Sequence, residues 1–339
     1  MSWLRRRPSD PREMDRAWRR ALRAAVEERW ETTETWLERI VEADSDDLDA
    51  YHALARLYRR QGAIGRAIRM HQNLLLRSDL DEPARGEAML ELARDFDEGG
   101  FVDRAISSYE EVLDRRPRDA ELLERLIRLR GDRGDLIRAL ELVRRLRRHE
   151  RKTADRLEVD LLLSRARSLH AEGEAAAARK LLKRCLRRDR ELSEAWTLLG
   201  EIEAERGKDT RALDAWKKAA AAAPERAAPL YPRIEASFAA RGRSAEFERF
   251  LRGVLEERPN DVVARVALAR SLDGRGESAA AMEEIRRAIE VAPGDLGLRV
   301  ELGRRLLATG PEAEALKAYE GLLERIEREQ GRSTGKAIG

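Results

Sequence analysis

Six arginines, Arg56, Arg94, Arg128, Arg167, Arg270 and Arg304, stand at one recurring place in the chain; two further units hold Glu201 and Ala236 there. A guanidinium is a planar fork of fixed donors that grips a carboxylate through two parallel hydrogen bonds. A column of such forks on one face would hold an acidic segment of a protein or peptide partner, or its C-terminal carboxylate. The alternative is a column neutralised within the chain, each arginine pairing with an acid of the next unit such as Glu91, Glu98 or Glu124. Exposed pairs of that kind are common and individually contribute little. His52 and His71 add two groups at positions where an aromatic or polar residue is usual, and they read either as partner contacts or as hydrogen-bonded packing residues.

Little other chemistry is on offer. The four histidines, His52, His71, His149 and His170, have no metal-ligand spacing, and the single cysteine, Cys185, excludes an internal disulfide and any CxxC zinc site. Cys185 lies among apolar residues and reads as a small buried hydrophobe. No phosphate loop, nucleophile elbow or convergent carboxylate pair occurs, so no catalytic residue or cofactor is assigned and the expectation is a protein that is not an enzyme. With 68 basic and 65 acidic side chains the net charge is +3, which is not the footprint of a general nucleic-acid binder. Only eight of the bases are lysine, which leaves 68 − 8 = 60 arginines.

The elements that must position these residues are helices. Of 339 residues, 39% are charged and only 5% aromatic, which suits repeated helices and disfavours strands. Eight units align on a glycine, followed five residues later by alanine in seven of them: Gly62/Ala67, Gly100/Ala105, Gly134/Ala139, Gly173/Ala178, Gly207/Ala212, Gly242/Phe247, Gly276/Ala281 and Gly310/Ala315. With the glycine as position 15, position 7 is Leu54, Leu92, Leu126, Arg165, Leu199, Ile234, Leu268 and Leu302, and position 8 is mostly small. Arg165 stands out, either snorkelling at a repeat interface or marking a shifted helix. Prolines 117, 224, 259 and 293 fall at position 32, where they stop the second helix. Two insertions, Ser78–Arg85 and Glu150–Leu157, are expected as loops between repeats.

This pattern resembles the 34-residue tetratricopeptide helix–turn–helix unit. The resemblance implies an all-α, right-handed superhelical solenoid of stacked antiparallel helix pairs, with helix-A positions 2, 5, 9 and 12 lining a concave groove. The arginine column is position 9. Residues 1–10 are expected as a flexible basic N-terminus, 11–45 as a degenerate capping helix pair without the glycine, 46–329 as eight repeats, and 330–339 as a disordered tail. No Pro- or Ser-rich linker divides the body.

The phrase Arg66–Gln72 (RAIRMHQ), with the surrounding Ala50–Leu75, Ala88–Phe96 and Gly100–Ala105, also resembles the bacterial lipopolysaccharide assembly protein B family. Weaker similarity runs through Leu181–Arg184 and Ala245–Leu251. That resemblance implies a cytoplasmic adaptor, peripheral to the inner membrane, that couples a membrane protease to turnover of a lipid A biosynthetic deacetylase. The family pattern carries an N-terminal membrane helix and a C-terminal rubredoxin-type zinc module, and this sequence shows neither. No run approaches the roughly 18 to 20 apolar residues of a membrane span. Trp3 with Arg5, Arg6 and Arg7 would make at most a weak contact with an anionic membrane surface. The expected function is a non-catalytic scaffold holding a protein or peptide in its groove. An RNA-binding helical solenoid is one alternative, although no aromatic occupies groove positions 2, 5, 9 or 12. Homo-oligomeric self-assembly through terminal repeats is another.

Overall fold

The computed structural model describes residues 11–309 together with 316, 319, 321 and 323. The basic segment 1–10, the Gly310/Ala315 pair and the tail 330–339 lie outside the described residues. Among those described there are helices and turns and no strand. The hairpins are α1/α2 (Pro11–Val26, Trp30–Ala43), α3/α4 (Leu48–Arg60, Ile64–Leu75), α5/α6 (Glu82–Glu98, Val102–Arg115) and α7/α8 (Ala120–Asp132, Leu136–Leu146). They continue as α9/α10 (Arg151–Ala171, Ala175–Arg188), α11/α12 (Ser193–Glu205, Asp209–Ala222), α13/α14 (Tyr231–Ala239, Ser244–Glu257) and α15/α16 (Val262–Gly274, Ser278–Val291), followed by α17 (Leu296–Thr309).

Each described turn glycine does the same work. Gly62, Gly100, Gly134, Gly173, Gly207, Gly242 and Gly276 all have φ between 67° and 82°, the left-handed region that costs other residues roughly 1–2 kcal/mol. At the first of them, Gly62 N–H donates to Arg59 O at 3.0 Å and Ala63 N–H to Tyr58 O at 2.8 Å, closing helix A with a Schellman turn. The N-terminal hairpin has the same geometry without the glycine. Glu28 sits 62 − 28 = 34 residues before Gly62, has φ 55°, and is followed by Arg29 N–H donating to Ala24 O at 2.8 Å. Ala21 and Thr33 then fall on the small-residue positions and are buried, so α1/α2 occupies the place of a further repeat.

Helix starts and stops follow local rules. Asp47, Asp81, Asp119 and Asp261 cap α3, α5, α7 and α15, each accepting from the backbone N–H three residues on. Such a cap contributes about 1 kcal/mol. Pro117, Pro224, Pro259 and Pro293 each stand two residues beyond the end of a second helix.

The two insertions are not the loops expected of them. The first is cut short by the Asp81 cap and Pro83, so residues from Glu82 onward already belong to a 17-residue α5. The second has no Gly or Pro and simply lengthens α9 to 21 residues, against 13 in α3, α7, α11 and α15. Arg147 pairs with Asp155 at 2.9 Å and also contacts Glu158, fastening the added turns.

The chain forms two compact units, residues 1–161 and 162–339, that divide within α9. In the first, Phe96, Tyr109, Leu123, Leu126 and Ile127 make a core in which Leu123 and Leu126 are wholly buried. In the second, Trp216, Ile234, Phe238, Phe247 and Leu251 do the same. Burying one such leucine stabilises by roughly 2 kcal/mol. Small residues set the helix separation: Ala55, Ala93 and Ala269 at position 8 have no exposure, and a Cβ on Gly200 would lie 2.3 Å from Trp216 Nε1. Phe247, the exception at position 20, is buried against Phe238 with ring centroids 6.4 Å apart.

Candidate functional site

The first unit contains a buried polar network built from three adjacent helices. His52, Arg56 and Arg59 lie on one face of α3 by their spacing of four and three residues. Glu87, Glu91 and Asp95 lie on one face of α5 by the same rule, and α4 inserts His71 between them. His71, Glu91 and Asp95 are fully buried and His52 nearly so. His71 occupies the position held by buried Tyr109, Leu182, Trp216 and Leu251 in other repeats, so a polar ring replaces core packing at this one place.

The hydrogen bonds form one continuous chain. His71 Nδ1 lies 2.5 Å from Asp95 Oδ2, and His52 Nδ1 lies 3.1 Å from His71 Nε2. A carboxylate only accepts, which assigns the Nδ1 proton to His71 and leaves its Nε2, in the neutral ring, to accept from His52. Arg59 bridges the two acids, donating to Asp95 Oδ1 at 2.8 Å and to Glu91 Oε2 at 2.7 Å. Glu91 Oε1 accepts from Arg56 at 2.9 Å and from Arg94 at 2.8 Å. Three guanidinium groups therefore converge on one buried carboxylate.

That arrangement decides the protonation of the site. Burial alone pushes the Glu91 carboxyl up, but the hydrogen bonds and charges of Arg56 and Arg59 outweigh it and hold the group at about 2. Burial pushes His52 down, and the neighbouring His71 ring adds to the effect. Asp95 and His71 have the pairing used in proton-transfer sites. Here the remaining nitrogen of His71 faces His52 rather than a hydroxyl or thiol, so the geometry is that of a structural fastener.

Beside the network, α5 and α7 border a cleft of about 360 Å³ whose lining includes Arg59, Arg94, Arg125, Arg128, Asp97 and Glu121. Arg125 pairs with Asp97, which also accepts from Tyr109 Oη at 3.1 Å. Burial and the charge of Asp97 push the Tyr109 hydroxyl up, keeping it protonated.

The arginine column divides along the chain. Arg56 reaches Glu91 and Glu87 of the next repeat, and Arg94 reaches Glu91 on its own helix and Glu121 of the next repeat at 3.1 Å. Arg128 is exposed and has Glu124 of its own helix at 3.6 Å. In the second unit Arg167, Arg270 and Arg304 are exposed and have no carboxylate partner among the described residues. Glu98 lines the cleft. Arg165 is half-exposed and pairs with Glu172 at 3.0 Å, while Leu162, Leu163 and Ala166 supply the buried face of α9. Cys185 is buried. His52 and His71 are hydrogen-bonded packing residues. Sequence reasoning missed Arg59 and Asp95, which join the two halves of the network. The available signal was a pair of acids four residues apart, Glu91 and Asp95, one repeat beyond Arg56 and Arg59.

No group of His, Cys, Asp and Glu among the described residues could hold a metal ion, and no helix among them is long and apolar enough to cross a membrane.

Two tetratricopeptide-repeat family models match the chain, over residues 90–151 and 159–202. Lipopolysaccharide assembly protein B of Escherichia coli K12 is 24% identical over 219 residues, and the same protein of Escherichia coli O157:H7 matches equally. The matched stretch covers 64% of this chain and 56% of the relative, so the chain spans little more than half the length of the curated relatives it matches. Among solved structures, a tetratricopeptide repeat protein from Parabacteroides merdae overlays with a TM-score of 0.44 at 13% identity, covering 87% of this chain and 99% of that one. MamA from Desulfovibrio magneticus RS-1 overlays at 0.34 and 20% identity, covering 51% and 97%. The fold assignment rests on the repeat geometry rather than on these overlays. Residues 90–151 and 159–202 match tetratricopeptide repeats, and the other described hairpins share the all-α repeat geometry, with left-handed turn glycines in register from Gly62 to Gly276.

Proposed function

We propose that the chain is a non-catalytic adaptor that holds an acidic protein or peptide segment against the first helices of its repeats. The observation that carries this reading is the state of the position-9 arginines. In the second unit those at 167, 270 and 304 are exposed and have no carboxylate partner among the described residues. An exposed, weakly engaged guanidinium keeps its hydrogen-bonding capacity for a ligand, whereas Arg56 and Arg94 have spent theirs on Glu91. Similarity to lipopolysaccharide assembly protein B supports a process linked to envelope or lipopolysaccharide assembly, on the cytoplasmic side of the inner membrane. The tetratricopeptide architecture supports protein–protein interaction as the mode of action.

The test is fluorescence anisotropy with a labelled peptide of alternating Glu and Leu, at low and at physiological ionic strength. Charge reversal at Arg167, Arg270 and Arg304, all in the second unit, should each weaken binding, roughly fivefold or more per site, and the loss should shrink as salt rises. Equal affinity for the wild type and a triple charge-reversal variant would sink the proposal.

A further inference from the structure

Among the described residues a number of basic side chains have no carboxylate partner, and some of them gather into groups. One lies wholly within the second unit. Helix α10 carries six bases and no acid along its 14 residues. Together with α11, α12 and the turn at residues 189–192 it borders an open pocket of about 910 Å³. Lys183, Arg187, Arg190 and Lys218 line it against one carboxylate, Glu191, and none of the four cations has a carboxylate partner among the described residues. All four are exposed. The floor is apolar, made by Leu186, Leu199 and Trp196 among others. Trp196 is held in place: its Nε1 donates to Arg190 O at 2.8 Å, and Lys218 Nζ lies 4.5 Å from its ring centroid.

We propose that this pocket binds an amphiphilic phosphoester, its phosphate held by the four cations and its apolar body resting on Trp196 and Leu199. Three features select that chemistry. A phosphate monoester concentrates roughly −1.5 to −2 of charge on one small group with three acceptor oxygens, which matches several cations lining one pocket. An acidic peptide would need several carboxylates brought to the same point. The mixture of two lysines and two arginines supplies point charges and forks together, a combination suited to phosphate. The volume falls in the range of pockets that take a discrete small ligand. The phosphate could be carried by a membrane lipid headgroup or by a soluble phosphorylated molecule. This site goes beyond the peptide-binding reading and does not depend on it.

Isothermal titration with dodecyl phosphate below its micelle concentration tests the proposal, with dodecyl maltoside as the neutral analogue. The wild type should bind the phosphate ester and not the maltoside. The double variant Lys183→Glu/Lys218→Glu should lose about tenfold or more in affinity, while Arg249→Glu/Arg252→Glu, two exposed α14 positions outside the pocket, makes the same charge change and should not. Circular dichroism melting checks that both variants fold, and the milder pair Lys183→Ala/Lys218→Ala gives a second reading if the reversal does not. Equal affinity for both detergents, or an unchanged double variant, overturns the proposal. So does a Glu-rich peptide that displaces dodecyl phosphate and binds more tightly, which would assign the pocket to an acidic protein segment. Sedimentation with phosphatidylglycerol vesicles, set against phosphatidylcholine vesicles, separates the sources. Pelleting with the anionic vesicles that the double variant loses places the phosphate on a lipid. Dodecyl phosphate binding without pelleting assigns a soluble phosphoester.

Discussion

Replacing Glu91 with Gln removes one charge from the centre of the buried network while keeping its shape. Glu91 has no exposed surface and its carboxyl sits at about 2 rather than 4.5. At about 1.36 kcal/mol per tenfold change in proton affinity, that depression corresponds to roughly 3 kcal/mol of folding free energy. The figure agrees with the 3–5 kcal/mol lost when one partner of a buried ion pair is removed. The sign follows from proton binding. Above pH 4.5 the carboxyl is ionised in both the folded and unfolded chain and the stabilisation is complete. Between 4.5 and 2 the unfolded chain takes up the proton first, so stability falls with pH, and below about 2 the contribution is gone. Urea unfolding of the wild type and Glu91→Gln, followed by circular dichroism across pH 2 to 7, should show a gap of about 3 kcal/mol at pH 7 that closes towards pH 2. Hydrogen exchange should place the loss in α3, α4 and α5. A gap under about 1 kcal/mol at pH 7, or two curves that stay parallel down to pH 2, would refute the reasoning.

Three other changes probe separate links. His52 is held neutral mainly by burial, so the unfolded chain binds its proton first below pH 6.5. His52→Phe should therefore flatten the decline in stability between pH 6.5 and 5 measured by thermal melting, and an equal decline in both proteins counts against the assignment. Glu28 adopts φ 55° at a turn where the other repeats have glycine. Glu28→Gly should raise stability by about 1 kcal/mol in urea titration, the relief of left-handed strain less the entropy of glycine; a loss of stability would mean that the Glu28 side chain contributes more than its backbone costs. Gly200→Ala would place a Cβ 2.3 Å from the ring nitrogen of buried Trp216. The overpacking of about 1–3 kcal/mol should outweigh a helix-propensity gain of about 1 kcal/mol, lowering the melting temperature; an unchanged or raised melting temperature refutes the steric argument.

The repeat architecture was readable because its determinants are local. A glycine needed for positive φ, a small residue needed for close helix approach and a proline that stops a helix each act within a few residues of themselves. The long helices α5 and α9 were less readable, since an insertion can be spent on a loop or on extra helical turns. The choice lay in details: Asp81 and Pro83 start a helix, and nothing in Glu150–Leu157 stops one. Glu28 escaped notice because the eye follows the glycine rather than the backbone angle that the glycine serves. The buried network was the hardest to see. His52, Arg59, His71, Glu91 and Asp95 are spread over more than forty residues and three helices, and only their spacing within each helix hints that they meet.

The network also changes what the arginine column can mean. A buried carboxylate without cations is costly to hold ionised, so the position of Glu91 in the core requires guanidinium groups on both sides. Arg56 from the preceding repeat and Arg94 from its own helix meet that need, and Arg59 joins the same carboxylate to Asp95 and the two histidines. The first two members of the column are thus engaged on a buried carboxylate, Arg56 reaching it across the repeat boundary and Arg94 from the same helix. The members from Arg128 onward face water, where exposed charge is weak in any one place and useful chiefly for meeting a partner of opposite sign. One residue type at one repeat position therefore stands in two environments. What separates them is a buried acid within reach: Glu91 of α5 takes both Arg56 and Arg94, and no such acid stands beside Arg128, Arg167, Arg270 or Arg304 among the described residues.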